Sequence, residues 1–202
     1  MKSLILDYCM NIVNYDKRYD EEKLEIIRYG LEGLYLQITK IIIILLLSFI
    51  LGIFKEVIIF LLIYNIIRTT SFGLHATKSW ICLLSSTLIF IGLPIFCINF
   101  TIPIYIRVVI SIITIVSVFK NAPADTQKKP IVNPKRRQFY KYSSTFIAIL
   151  FAYCSILIDN SFLANCFVLA PLVQSFMIAP TIYRLFGLPY NNYLNYMENK
   201  DI

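Results

Sequence analysis

Several stretches of this sequence are almost unbroken isoleucine, leucine and phenylalanine, and they approach the roughly 20 residues that a helix needs to cross bilayer hydrocarbon. They cover residues 41–54, 57–67, 83–100, 102–119, 145–158 and 162–186. In lipid each backbone N–H and C=O must be paired internally, so spanning runs fold as helices or as closed barrels. Runs this long and continuous select the helix. Composition agrees, because a chain of 202 residues that is 58% hydrophobic and only 15% charged cannot hide that much apolar surface in one water-soluble core. The predicted fold class is all-α, a polytopic membrane protein with about six transmembrane helices. Pro94, Pro171 and Pro180 lie inside predicted spans; a bundle tolerates them as kinks when neighbours satisfy the freed carbonyls. Lys55 and Glu56 interrupt the apolar pattern, which makes the second span short, tilted or partly re-entrant.

Before the first span, Leu4, Ile5, Tyr8, Cys9, Ile12 and Val13 share one helical face, with Lys2, Asp7, Asn11 and Asn14 opposite. This predicts an N-terminal amphipathic helix within residues 1–20, lying at the membrane interface or packed on the bundle. Its polar interruptions are unlike a cleavable signal peptide, so the chain is expected to keep its start. A second pattern, Leu24, Ile27, Leu31, Leu34, Tyr35 and Ile38, leads into the first span as one long helix.

The formal charge of +7 is concentrated in connecting segments. Lys17, Arg18, Lys23 and Arg28, then Arg68 and Lys78, then the polar loop 120–142 with Lys120, Lys128, Lys129, Lys135, Arg136, Arg137 and Lys141 fall on one side. The other side has little beyond Lys55. The positive-inside rule therefore places both termini and the basic loop in the cytoplasm, within a single integral membrane domain spanning residues 1–202. Charge distributed in this way reflects topology and membrane lipid, and no nucleic-acid partner is expected.

His75 is the only histidine. A zinc-protease helix needs two, one turn apart, so that chemistry is excluded and no metal or cofactor is expected. One imidazole still suffices for a cysteine dyad. Of Cys9, Cys82, Cys97, Cys154 and Cys166, Cys82 alone lies near His75 at a predicted cytoplasmic interface; the others read as small hydrophobes. Their odd number implies no disulfide framework.

A separation of seven residues is nearly two helical turns, so on one continuous helix the Cα atoms of His75 and Cys82 would lie roughly 10 Å apart. The helix is therefore predicted to begin near Ser79 as N-cap, with His75 on a preceding loop that Gly73 allows to fold back. Cys82 then sits in the first turn, where the helix dipole and free N–H groups favour a thiolate and can stabilise an oxyanion. On spacing alone, a packing histidine and an interfacial cysteine are the commoner outcome.

Arg68, Gly73, His75-Ala76 and Cys82, followed after two apolar spans by Ala-Pro-Ala in the basic loop, resemble the accessory gene regulator protein B (AgrB) family of bacterial membrane endopeptidases. The resemblance covers essentially the whole chain. It implies a catalytic pair of His75 and Cys82, with Arg68 and Gly73 as supporting residues. One departure is Phe72-Gly73, where many members have paired glycines before the histidine. The implied reaction cleaves the C-terminal tail of an AgrD-like pheromone precursor through a Cys82 thioester and supports cyclisation to a thiolactone, on the cytoplasmic face of the bacterial cell membrane.

Family precursors carry an acidic tail, for which Lys128, Lys129, Lys135, Arg136 and Arg137 are a candidate partner; topology and anionic lipid explain the same charges. Arg68 reads as positioning the substrate backbone, as pairing with Glu32 or Asp125, or equally as a simple end-of-span anchor, and Glu32 is a candidate third member beside His75. Oligomeric state stays open, a homodimer included. A rival reading is a small membrane transporter or peptide exporter without peptidase activity, but the charges avoid span centres, where transport sites usually place them. A non-enzymatic scaffold predicts no biochemical effect of Cys82→Ser.

Overall fold

A computed structural model turns each apolar run into helix and forms no β-strand among the residues that it describes, which are 2–13, 20–74, 79–126 and 130–194. The chain divides into two compact units, Met1–Leu51 and Gly52–Ile202.

In the first unit, α1 (Lys2–Val13) packs on α2 (Glu21–Ile50). Arg28 Nη2 donates to Asp7 Oδ1 at 3.2 Å between them, but both side chains are more than half exposed, so the pair contributes little stability. Helix α2 spans 30 residues, roughly 45 Å, with its charged half first and its apolar half last.

The second unit contains α3 (Phe54–Ser71), α4 (Ser79–Asn99), α5 (Ile104–Asn121), α6 (Pro134–Leu157), α7 (Ser161–Met177) and α8 (Pro180–Leu185). Helix α7 packs against α3, α4, α5 and α6. It can do so because Ala164, Ala170 and Ser175 are small and buried, which lets neighbouring backbones approach closely. Helix α3 presents Val57, Phe60, Tyr64, Ile67 and Ser71 to the interior at spacings of three and four. Phe90 of α4 meets the rings of Phe60 and Tyr64 edge-on at 6.2 and 5.0 Å. Large apolar side chains such as Leu84, Leu88, Ile112, Phe146 and Ile149 point outward, as expected where lipid is the solvent.

Four helices, α2, α4, α5 and α6, are long and apolar enough to cross a membrane. Helix α3 carries Lys55, Glu56 and Arg68, and α7 has 17 residues. The run predicted over 162–186 is divided: α7 stops at Met177 and α8 starts at Pro180. Proline has no N–H for a continuing helix and forces the residue before it into extended backbone, as Ala179 shows with ψ 134. The segment 120–142, read as a loop, is helical from Pro134 onward. Asn133 Oδ1 accepts from Lys135 N and Arg136 N, and Pro134 takes the first helical position, where a missing N–H is harmless.

Candidate active site

The ends of α3 and α7 meet the segment between α5 and α6 at one end of the second unit. Beyond Ser71, the chain leaves α3 through two residues with positive φ, Phe72 at 58° and Gly73 at 118°. A Cβ on Gly73 would lie 3.0 Å from the carbonyl oxygen of Met177, so only glycine fits without displacing backbone.

Irregular backbone at a buried helix end is stable only if its polar groups find partners. Here they do. Gly73 N donates to Ala124 O at 2.9 Å, Ala124 N to Ser71 O at 3.0 Å, and Leu74 N to Met177 O at 3.2 Å. The Phe72 carbonyl accepts from Gln174 Nε2 at 2.5 Å, and the Leu74 carbonyl accepts from Arg68 Nη2 at 3.2 Å. Arg68 Nη1 also donates to Tyr64 Oη at 3.0 Å and Gln174 Oε1 at 3.4 Å. The Phe72 ring stands edge-on to Tyr140 of α6, 4.9 Å between centroids. The chain is thus fixed as far as Leu74, the residue before His75.

His75 itself, with Lys78, lies outside the described residues, as do Lys128 and Lys129. Among the described residues α4 covers Ser79–Asn99, and Cys82 on it is half-buried. Glu32 sits on α2, in the first unit.

A second node organises the Ala-Pro-Ala-Asp segment. The peptide bond between Ala122 and Pro123 is cis. Buried Asp125 accepts from Ile131 N at 3.3 Å, Asn192 N at 3.1 Å, Tyr193 N at 3.0 Å and Arg137 Nη1 at 3.4 Å. The expected pairing of Asp125 with Arg68 is corrected: Asp125 pairs with Arg137, because Arg137 projects from the first turn of α6 toward the carboxylate, whereas Arg68 turns to Tyr64, Gln174 and Leu74. Arg137 also stacks on the Tyr193 ring, 3.5 Å from its centroid. Tyr183 donates its hydroxyl to Asp125 O, and Tyr190 donates to Asn121 O. Burial pushes the Tyr190 hydroxyl above its ordinary range.

Lys135 and Arg136 are exposed on the first turn of α6, where positive charge opposes the helix dipole. Their retention there is not explained by helix stability.

The Accessory gene regulator B model matches residues 7–178. The chain belongs to the AgrB family. An AgrB-like protein of Clostridium acetobutylicum is 28% identical over 199 residues, covering 96% of this chain and 95% of its own. AgrB-like protein 2 of Clostridium perfringens is 32% identical over 152 residues, 72% of this chain and 71% of its own. A Listeria monocytogenes AgrB-like protein is 28% identical over 177 residues, 88% and 87% of the two chains. No solved structure matches. AgrB membership implies a part in processing the peptide of an accessory gene regulator quorum-sensing system, in association with an AgrD-like precursor. With four helices able to span a bilayer, this AgrB-family chain is a membrane protein.

Sequence reasoning missed Gln174. The available signal was its type: a side-chain amide within an apolar helix must either find partners or be expelled from the span.

Proposed function

We propose that this AgrB-family protein is a membrane-embedded cysteine endopeptidase whose catalytic pair is His75 and Cys82. His75 takes the Cys82 proton, and the thiolate attacks the carbonyl at the C-terminal end of the pheromone segment of an AgrD-like precursor. The C–N bond breaks, and the tail leaves as an amine with the proton returned by His75. The pheromone segment stays on Cys82 as a thioester. A thiol within that peptide then attacks the thioester carbonyl; the bond between the acyl carbon and Cys82 Sγ breaks, the attacking thiol's proton passes to the released Cys82 thiolate, and a thiolactone closes.

The observation supporting this reading is that the turn after α3 holds the chain up to Leu74, the residue before His75, while Cys82, half-buried, lies on α4 only eight residues further along the chain. Arg68, Gly73 and Ser79 are the pair's supporting residues. Lys128, Lys129, Lys135 and Arg136 attract the acidic precursor tail, whereas Arg137 is held by Asp125 and Tyr193. By the positive-inside rule this face is cytoplasmic, with both termini on the same side and α2 to α7 crossing the membrane.

The test combines membranes carrying the protein with its precursor and follows release of the tail and a peptide–enzyme thioester. Wild type is expected to give both, and Cys82→Ala and His75→Ala neither. Undiminished cleavage by Cys82→Ala would overturn the assignment.

A further inference from the structure

Helix α7 carries two buried amide side chains, one toward each end. Asn165, 1% exposed, donates from Nδ2 to Phe100 O at 2.6 Å and Cys97 O at 3.4 Å, and accepts from Ile102 N at 3.2 Å. It ties down the connection between α4 and α5. Gln174, 0% exposed, donates from Nε2 to Ser71 Oγ at 2.7 Å and Phe72 O at 2.5 Å, and accepts from Arg68 Nη1 at 3.4 Å. It ties down the segment that runs into His75. Both amides have the full pairing that burial demands, but only one serves the site.

Building on the peptidase reading above, we propose that Gln174 is a positioning residue for His75. The Phe72 carbonyl is directed into the bundle by the positive-φ turn, and its partner there is the Gln174 amide. Remove that donor and a buried carbonyl is left unpaired, so the turn relaxes toward another conformation. Arg68 fixes which way the amide faces: its guanidinium claims Oε1, leaving the NH₂ group for Ser71 and Phe72. Arg68 also holds the Leu74 carbonyl directly. Gln174 and Arg68 therefore act as one unit that sets where, and in what direction, the chain enters His75. A proton acceptor needs such support, because a small misplacement loses much of its catalytic effect.

Gln174→Leu keeps the bulk and removes all three bonds. Gln174→Glu keeps the length and the acceptor facing Arg68 but removes the donors. In both, kcat for precursor cleavage is expected to fall by about tenfold or more with KM little changed, as for a loss confined to the transition state. The rate of Cys82 alkylation by iodoacetamide at a fixed pH, measured in native membranes, is expected to fall. Asn165→Leu deletes an equally buried amide from the same helix and is expected to keep wild-type kcat and alkylation rate, whatever its effect on thermal stability. Cleavage that survives Cys82→Ala overturns the peptidase reading itself. If instead Cys82→Ala is inactive while both Gln174 variants cleave and alkylate like wild type, the positioning role is overturned; it is overturned equally if Asn165→Leu reproduces both changes.

Discussion

Gly73 passes beneath Met177 so closely that an added Cβ would come within 3.0 Å of the Met177 carbonyl oxygen, at a backbone φ of 118°. Both the contact and the φ oppose a side chain, and the crowding atom is backbone, which cannot rotate away. Gly73→Ala is expected to lose about 1–3 kcal/mol of stability and most precursor cleavage, read by thermal unfolding in detergent and a tail-release assay. Wild-type cleavage by Gly73→Ala would show that the turn is not needed in this form.

Its neighbour predicts the opposite behaviour. Phe72 holds φ 58 and ψ −129, a conformation that glycine adopts freely and a phenylalanine resists. The ring contact with Tyr140 offsets that strain by about 0.5–1.5 kcal/mol. Phe72→Gly exchanges one for the other, so stability should change by no more than about 1 kcal/mol and cleavage should persist. Paired glycines at these two positions would then be a less strained version of the same turn. A loss as large as that of Gly73→Ala would contradict this account.

Asp125 collects three backbone N–H groups and the Arg137 guanidinium while almost fully buried. Breaking a buried pair by removing one partner leaves the other uncompensated and costs about 3–5 kcal/mol. Asp125→Ala should therefore destabilise more than Arg137→Met, since it strands the N–H groups of Ile131, Asn192 and Tyr193 as well. The double variant should be less destabilised than the two single effects added together, because the residues share one interaction. Thermal unfolding of the four proteins checks both statements; strict additivity would mean that the pair is not coupled.

Lys135 and Arg136 separate a binding role from a structural one. Both are exposed in the first turn of α6, where each positive charge works against the helix dipole by about 0.3–1 kcal/mol. Replacing both by Gln should leave stability unchanged or slightly raised. If they attract the acidic precursor tail, KM rises several-fold at low salt, and the salt dependence of KM flattens. Unchanged KM and salt dependence would leave topology as their role.

The helices were legible because lipid imposes one rule on every span: continuous apolar residues with internal hydrogen bonds. Asn133-Pro134 carried a local signal for the start of α6, but it was masked by the surrounding positive charge. The division at Ala179 was readable from Pro180 and was set aside as a tolerated kink. The support of the site was not legible. Gln174 meets Ser71 and Phe72 across more than 100 residues of chain, and Asp125 meets Asn192 and Tyr193 across 67 and 68. No periodicity within one helix encodes such pairings, because they depend on which helix ends the fold brings together. Sequence offered Arg68 a carboxylate partner on charge alone; the fold gave it an amide, a phenol and a carbonyl.

The chemistry of the proposed thioester sets a last expectation. Converting an amide to a thioester on Cys82 is uphill, whereas passing the acyl group from Cys82 to a thiol within the peptide exchanges one thioester for another and is nearly neutral. Two successive steps, one unfavourable and one flat, do not run to completion unless a product is withdrawn. The cut tail is the product able to reverse the first step, since its amine is the nucleophile that re-forms the amide. Added in excess to reconstituted membranes, synthetic tail peptide should slow net cleavage. With an isotopically labelled tail, label should appear in re-formed precursor, and Cys82→Ala should show no such exchange. A scrambled tail of the same charge separates this reversal from simple competition for Lys135 and Arg136: both peptides compete, but exchange requires a competent amine held at the acyl-enzyme. Cleavage that proceeds unchanged in saturating tail, with no label returned, would mean that the acyl step is driven by something other than tail removal.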